Sequence, residues 1–173
     1  MQARPLLRPS GSPRLFLALW PDAAVRCRLA AQRDALRLPP GARAVSDANL
    51  HATLHFIGAI EPERIPTLWG ALSELKSRTV RLSATTLATW NGATVVLQLR
   101  GDDALAALHA QTGAALRTCG VALDARPFAP HVTLARGASN VELPSMPDEL
   151  DWQATGFALV QSTGGRYQVL ATH

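Results

Sequence analysis

The sequence predicts an α+β protein in which a strand–helix–strand unit occurs twice. Three observations carry this. Short apolar runs alternate along the chain with stretches of helical periodicity. Asn91-Gly92 and Gly164-Gly165 each stand between two strand-like runs, which is the composition of a hairpin turn. Each unit also leads into a strand that opens on a histidine, His51 in the first half and His131 in the second. The pattern is that of an internal duplication, although the two copies differ in length.

The elements follow in order. Residues 1–13, rich in Arg, Pro, Ser and Gly, read as a flexible leader, and 14–173 as one domain. Arg14 to Trp20 is a short apolar strand. Pro21-Asp22 opens a helix to about Leu36, with Val25, Leu29 and Leu36 on its buried face. Pro39-Pro40-Gly41 breaks the chain. Leu50 to Gly58 is a strand and Pro62 to Ser77 a second helix. Val80 to Trp90 and Thr94 to Arg100 form a hairpin about Asn91-Gly92. Asp102 caps a third helix that runs to Cys119 and stops at Gly120. Phe128 to Arg136 is a strand, Val141 to Asp151 a loop, and Ala154 to Thr163 with Tyr167 to Thr172 a final hairpin.

The composition, 47% hydrophobic and 17% charged, excludes a disordered chain. A net charge of +4, from 16 Arg and the single Lys76 against 13 acidic residues, is a mild pull toward anionic partners. Cys27 and Cys119 share no metal-binding or redox spacing, so two buried, reduced thiols and a cytoplasmic location are expected. The run Leu15 to Trp20 is too short for a signal peptide, and no stretch approaches the ~18 apolar residues that would cross a membrane. A monomer is expected, although the sequence does not itself give the oligomeric state.

The chemistry lies in a repeated tetrapeptide, His51-Ala52-Thr53-Leu54 and His131-Val132-Thr133-Leu134. Side chains alternate faces along a strand, so His and Thr at i and i+2 point the same way. Ala52, Leu54 and Phe56 then face the core, as do Val132 and Leu134. Two such strands beside one groove supply two imidazoles and two hydroxyls around a small anion. A phosphodiester needs that set: a neutral imidazole as base, a protonated one as acid, and hydroxyl donors for the non-bridging oxygens. Arg136 adds a forked, charge-assisted contact to phosphate. His55 and Phe56, farther along the first strand, are candidate groove-lining residues, with an exposed imidazole the simpler expectation for His55. His109, on a helix, and the terminal His173 are expected in solvent.

One His-x-Thr would be an ordinary structural pair, but two at equivalent strand starts are not. His51 and His55 have the spacing of some helical zinc sites, yet Ala52 replaces the glutamate of that motif in a β segment, and no third ligand is evident. Neither metal nor cofactor is therefore expected.

These motifs and their surroundings resemble the bacterial RNA 2′,3′-cyclic phosphodiesterases, historically called 2′-5′ RNA ligases, of the two-histidine phosphoesterase superfamily. The resemblance runs from Arg14-Leu15-Phe16 through 49–58 and 126–136 to Arg166-Tyr167-Gln168-Val169-Leu170. Relatives often carry a larger residue at Ala52 and an aromatic at Ala44. The resemblance implies two pseudo-symmetric lobes, each an antiparallel sheet with helices outside, about a central cleft. It implies that His51 and His131 are catalytic and that Thr53, Thr133 and Arg136 bind phosphate. The implied reaction is hydrolysis of a terminal 2′,3′-cyclic phosphate to a 2′-phosphate, with RNA ends or small cyclic-phosphate nucleotides as partners. His131 is taken as base and His51 as acid, an order the sequence leaves open.

Three other readings compete. Ligation is the reverse reaction, in which a 5′ hydroxyl attacks the cyclic phosphate. ATP-driven ligation is not expected, because Gly70 to Ser77 has Leu75 where a phosphate loop needs Gly. A small-nucleotide cyclic phosphodiesterase would differ in substrate size. A non-catalytic RNA-binding module would need more than 5% aromatic residues and a denser basic surface.

Overall fold

A computed structural model describes residues 14–76, 78–145 and 150–173; the expected leader, 1–13, lies outside the described residues. In chain order the elements are β1 (Arg14–Leu19), α1 (Ala23–Asp34), β2 (Arg43–Ala44), β3 (Ala52–Ala59), α2 (Ile65–Ser73), β4 (Val80–Trp90), β5 (Thr94–Gly101), α3 (Asp103–Thr118), β6 (His131–Arg136), β7 (Asp151–Ala154), β8 (Ala158–Thr163) and β9 (Arg166–Thr172). The strands form one antiparallel sheet in the order β7-β4-β5-β6-β3-β1-β8-β9, with β2 beside β6. The expected lobes are its two four-stranded halves, β7-β4-β5-β6 and β3-β1-β8-β9. They meet at one ladder pair, Ala52↔Val132.

Local chemistry explains where the elements begin and end. Asp22 and Asp102 cap α1 and α3, accepting from the Val25 and Leu105 backbone N–H at 2.8 and 3.0 Å. Gly120 ends the turn after α3 with φ of +76°, a conformation glycine adopts without strain. At the hairpin tip Asn91 and Gly92 both have positive φ, 50° and 70°, as a tight turn between twisted strands demands.

Three expectations need correction. The second helix is shorter: Pro62–Arg64 forms a 3-10 turn, and α2 stops at Ser73, whose hydroxyl donates to the Gly70 carbonyl at 2.9 Å. The acidic, proline-containing segment is not loop to its end, because Asp151–Ala154 pairs with β4 and buries Trp152, which is 1% exposed. The last hairpin's first strand starts later, at Ala158, since the chain bends at Gly156 with φ of +135°.

The sheet buries its two faces differently. Leu15, Leu17 and Leu19 of β1 join Leu29 of α1, Leu68 and Leu72 of α2 and Leu105 and Leu116 of α3 in the main core. Phe16 and Ala18, on the other face, pack with Ala158 and Val160 of β8 and with Trp20 and Tyr167. The helices thus cover one face and leave the other for a cleft. Arg33 pins the segment entering β3: it donates to the Val45 carbonyl at 2.7 Å and pairs with Asp47.

Candidate active site

The antiparallel register at the centre of the sheet builds the site. Ala52 and Val132 lie opposite each other with their side chains in the core. Their neighbours therefore point the other way, and the register carries His51 opposite Thr133 and Thr53 opposite His131. All four line one cleft of about 680 Å3.

Both motif strands then break phase in the same place. In β3 the ladder to β1 slips at Leu54, because Leu17 pairs with His55 while Ala18 pairs with Thr53. In β6 the ladder to β5 slips at Leu134, because Val95 pairs with Ala135 while Val96 pairs with Thr133. Each slip is a β-bulge, which adds one residue to the strand and re-aims every side chain after it. Leu54 and His55 are consequently both buried, and Phe56, which alternation puts in the core although it is also a candidate for the groove lining, is 65% exposed and lines the cleft. Leu134 and Ala135 are likewise both buried, and Arg136 emerges into the cleft. The two arms are thus His-x-Thr-x-x-Phe and His-x-Thr-x-x-Arg, with Phe56 standing where pseudo-symmetry would place a second arginine.

The histidines present the same atom. His51 Nδ1–H donates to the Asn49 carbonyl at 2.6 Å, and His131 Nδ1–H to the Ala129 carbonyl at 2.8 Å. A carbonyl can only accept, so in each neutral ring the proton sits on Nδ1 and Nε2 carries the basic lone pair. Thr53 Oγ–H donates to His51 Nε2 at 3.1 Å. Asn49 is itself tied to the β8–β9 turn, its side-chain amide donating to the Gly165 carbonyl at 3.2 Å.

Aromatic rings hold both imidazoles, which sequence reasoning did not anticipate. Trp20 stacks on His51 at 5.4 Å with a 13° interplanar angle, Phe16 lies at 4.9 Å, and Tyr167 meets it edge-on at 5.3 Å. Trp90 packs on His131 at 4.3 Å. Burial in this setting pushes His51 down to about 4; the Asn49 carbonyl opposes it, and positive charge on His131 and Arg136 adds to it. Burial also lowers His131, opposed by the Ala129 carbonyl and assisted by Arg136. The two imidazoles repel each other's charge, so the pair resists a second proton, and His51, which burial holds down more strongly, is the one that takes it last.

The other histidines depart from expectation. His55 is not exposed and does not line the cleft that holds His51 and His131, but it lines the cavity beside it; it is 7% exposed, and its Nε2–H donates to the His109 carbonyl at 2.9 Å and to Thr112 Oγ1 at 3.1 Å. The bulge at Leu54 turned it inward. His109 is not in free solvent but stacks between His55, at 4.1 Å, and Phe128, at 4.0 Å. Burial, then the positive charge of His55 and Arg117, push His109 down to about 4. His173 stacks on Phe157 at 4.8 Å. Cys27, expected buried, is exposed on α1.

Similarity to known proteins agrees with this geometry. A curated RNA 2′,3′-cyclic phosphodiesterase of Geobacillus stearothermophilus is 32% identical over 112 residues, 61% of this chain but only 35% of that protein. The chain thus spans about a third of the relative's length. The crystal structure of E. coli LigT complexed with 3′-AMP is 26% identical, superposes with a TM-score of 0.82 and covers 95% of this chain and 98% of that one. The apo form of the same protein gives 27% and 0.80, over 93% and 96%. A family model described as the 2′-5′ RNA ligase superfamily matches residues 22–166. Among the described residues no helix is long and apolar enough to cross a membrane. With both His-x-Thr arms in one cleft and a family match over most of its length, the chain belongs to the 2′-5′ RNA ligase superfamily of two-histidine phosphoesterases.

Proposed function

We propose that the protein hydrolyses 2′,3′-cyclic phosphate at the 3′ end of RNA to a 2′-phosphate, by paired-histidine acid–base catalysis without a metal ion. One observation carries this reading: two His-x-Thr arms from adjacent antiparallel strands enter one cleft, each imidazole with Nδ1 committed to a backbone carbonyl and Nε2 available.

Water attacks phosphorus in line with the P–O3′ bond. His51, unprotonated through the neutral range because burial holds it low, takes the water proton at Nε2. His131, first of the pair to be protonated, gives its Nε2 proton to O3′ as the P–O3′ bond breaks. This assignment reverses the order adopted from the sequence, where the roles were left open. The Thr53 hydroxyl turns from His51 to a non-bridging oxygen, Thr133 reaches the other, and Arg136 adds positive charge to the same phosphate. The 2′ oxygen keeps the phosphate.

The test is turnover of a short oligoribonucleotide ending in 2′,3′-cyclic phosphate, in excess chelator and without nucleotide, with the product identified by mass and by its position isomer. A 2′-phosphate supports the reading. A 3′-phosphate, a requirement for a divalent ion, or a joined product with a 5′-hydroxyl RNA in place of hydrolysis would each overturn it.

A further inference from the structure

Beside the catalytic cleft lies a second cavity of about 410 Å3 that the mechanism does not use. The two share Thr53, Phe56, Trp90, Arg126 and His131, so they are continuous. The catalytic cleft, at about 680 Å3 and with Arg14, Arg136, Asn91 and Ser162 on its walls, has room for a whole nucleotide. The second cavity is smaller and more apolar. Leu123, Phe128, Ala129 and His109 line it and do not line the catalytic cleft.

Three features suit the second cavity to a nucleobase. Phe56, at 65% exposure, lines both cavities, in the position that carries arginine on the other arm. Phe128 is already held in place, stacked on His109, which stacks on the hydrogen-bonded His55. A wall fixed before binding loses little freedom when a base docks against it. Arg126 reaches both cavities and is oriented by Asp124, which accepts from Nε at 2.8 Å and from Nη2. Among the described residues its Nη1 has no hydrogen-bond partner, which leaves a cationic donor at the junction, where two nucleotides would be linked.

We propose that the second cavity binds the base of the nucleotide preceding the cyclic-phosphate end, with Phe56 wedged between the last two bases and Arg126 on the phosphodiester that joins them. The proposal rests on the RNA-end reading of the catalytic cleft and extends it from a phosphate to a two-nucleotide site. Base–aromatic stacking alone predicts that a dinucleotide binds ~10-fold or more tightly than a mononucleotide with the same terminal phosphate.

The test compares a dinucleotide carrying a terminal 3′-phosphate with a nucleoside 3′-phosphate, by calorimetry, on the parent, Arg126→Gln and Phe128→Leu. The same pair as 2′,3′-cyclic phosphates is assayed for turnover. The expected result is a preference for the dinucleotide in the parent that falls toward unity in both variants. Equal binding in the parent overturns the proposal. So does an equal loss for both ligands in the variants, which would place the terminal base in this cavity. If Phe128→Leu fails to fold, Arg126→Gln, on the exposed rim, decides alone. A dinucleotide preference without turnover of either cyclic phosphate supports the two-nucleotide site and sinks the hydrolytic reading instead.

Discussion

Replacing His51 by asparagine should make the protein's stability less sensitive to acid, by an amount the structure sets. The Asn side chain can still donate to the Asn49 carbonyl but cannot titrate. In the native protein burial lowers His51 from 6.5 to about 4, a difference worth about 3.4 kcal/mol at 1.36 kcal/mol per unit. Above pH 6.5 the ring is neutral in both folded and unfolded chains, and no cost arises. As pH falls below 6.5 the unfolded chain binds the proton first, so stability is lost until the folded ring also protonates near 4. Near pH 4.5 about 2.5 kcal/mol of the cost is expressed. His55 and His109 are shifted the same way, but they are present in both proteins and cancel in the comparison, whereas repulsion from His131 is part of the His51 shift itself. Urea unfolding of parent and His51→Asn near pH 7.5 and near pH 4.5 measures the effect. The stability of the variant relative to the parent should rise by about 2.5 kcal/mol between the two conditions. A relative stability that does not change with pH would refute the claim that burial keeps His51 neutral, and with it the base role.

Two further outcomes follow from the same geometry. Thr53→Val and Thr133→Val keep the side-chain shape and remove one donor each, so each should lower the rate by ~10²-fold with the melting temperature near the parent's. A variant that unfolds yet keeps its specific activity would make that threonine structural. A substrate with sulfur in place of O3′ has a leaving group that needs no proton. It should restore much of the activity lost in His131→Ala and little of that lost in His51→Ala; rescue of His51→Ala instead would exchange the acid and the base.

Much of this site was legible from alternation, and its remainder shows where alternation fails. His51, Thr53, His131 and Thr133 lie on one face because period two holds across each tetrapeptide. The rule breaks one residue later. Strict counting puts Phe56 in the core and His55 on the groove side, although both are candidates for the groove lining, and the bulge at Leu54 buries His55 and exposes Phe56. Arg136 was anticipated from its nearness to the second motif, but strict alternation would have buried it with Val132 and Leu134. The matching bulge in β6 is what delivers it to the cleft. Bulges are set by pairing with the neighbouring strand, and nothing within Thr-Leu-His or Thr-Leu-Ala announces them. The rings about His51 come from β1, the residue after it and β9, contacts between distant segments that periodicity cannot see. The edge strand at Trp152 was hidden by the prolines before it, where turn composition outweighed one large apolar residue.

The central claim is that His51 and His131 act together on one phosphate. The kcat/KM of His51→Ala, His131→Ala and the double variant, on one cyclic-phosphate oligonucleotide, tests it most directly. Each single change should cost the ~10²–10⁴-fold typical of a general acid or base. The double variant should be far less impaired than the product of the two, since either imidazole alone has little to do. A single variant with near-parental turnover, or costs that multiply in full, would contradict the account.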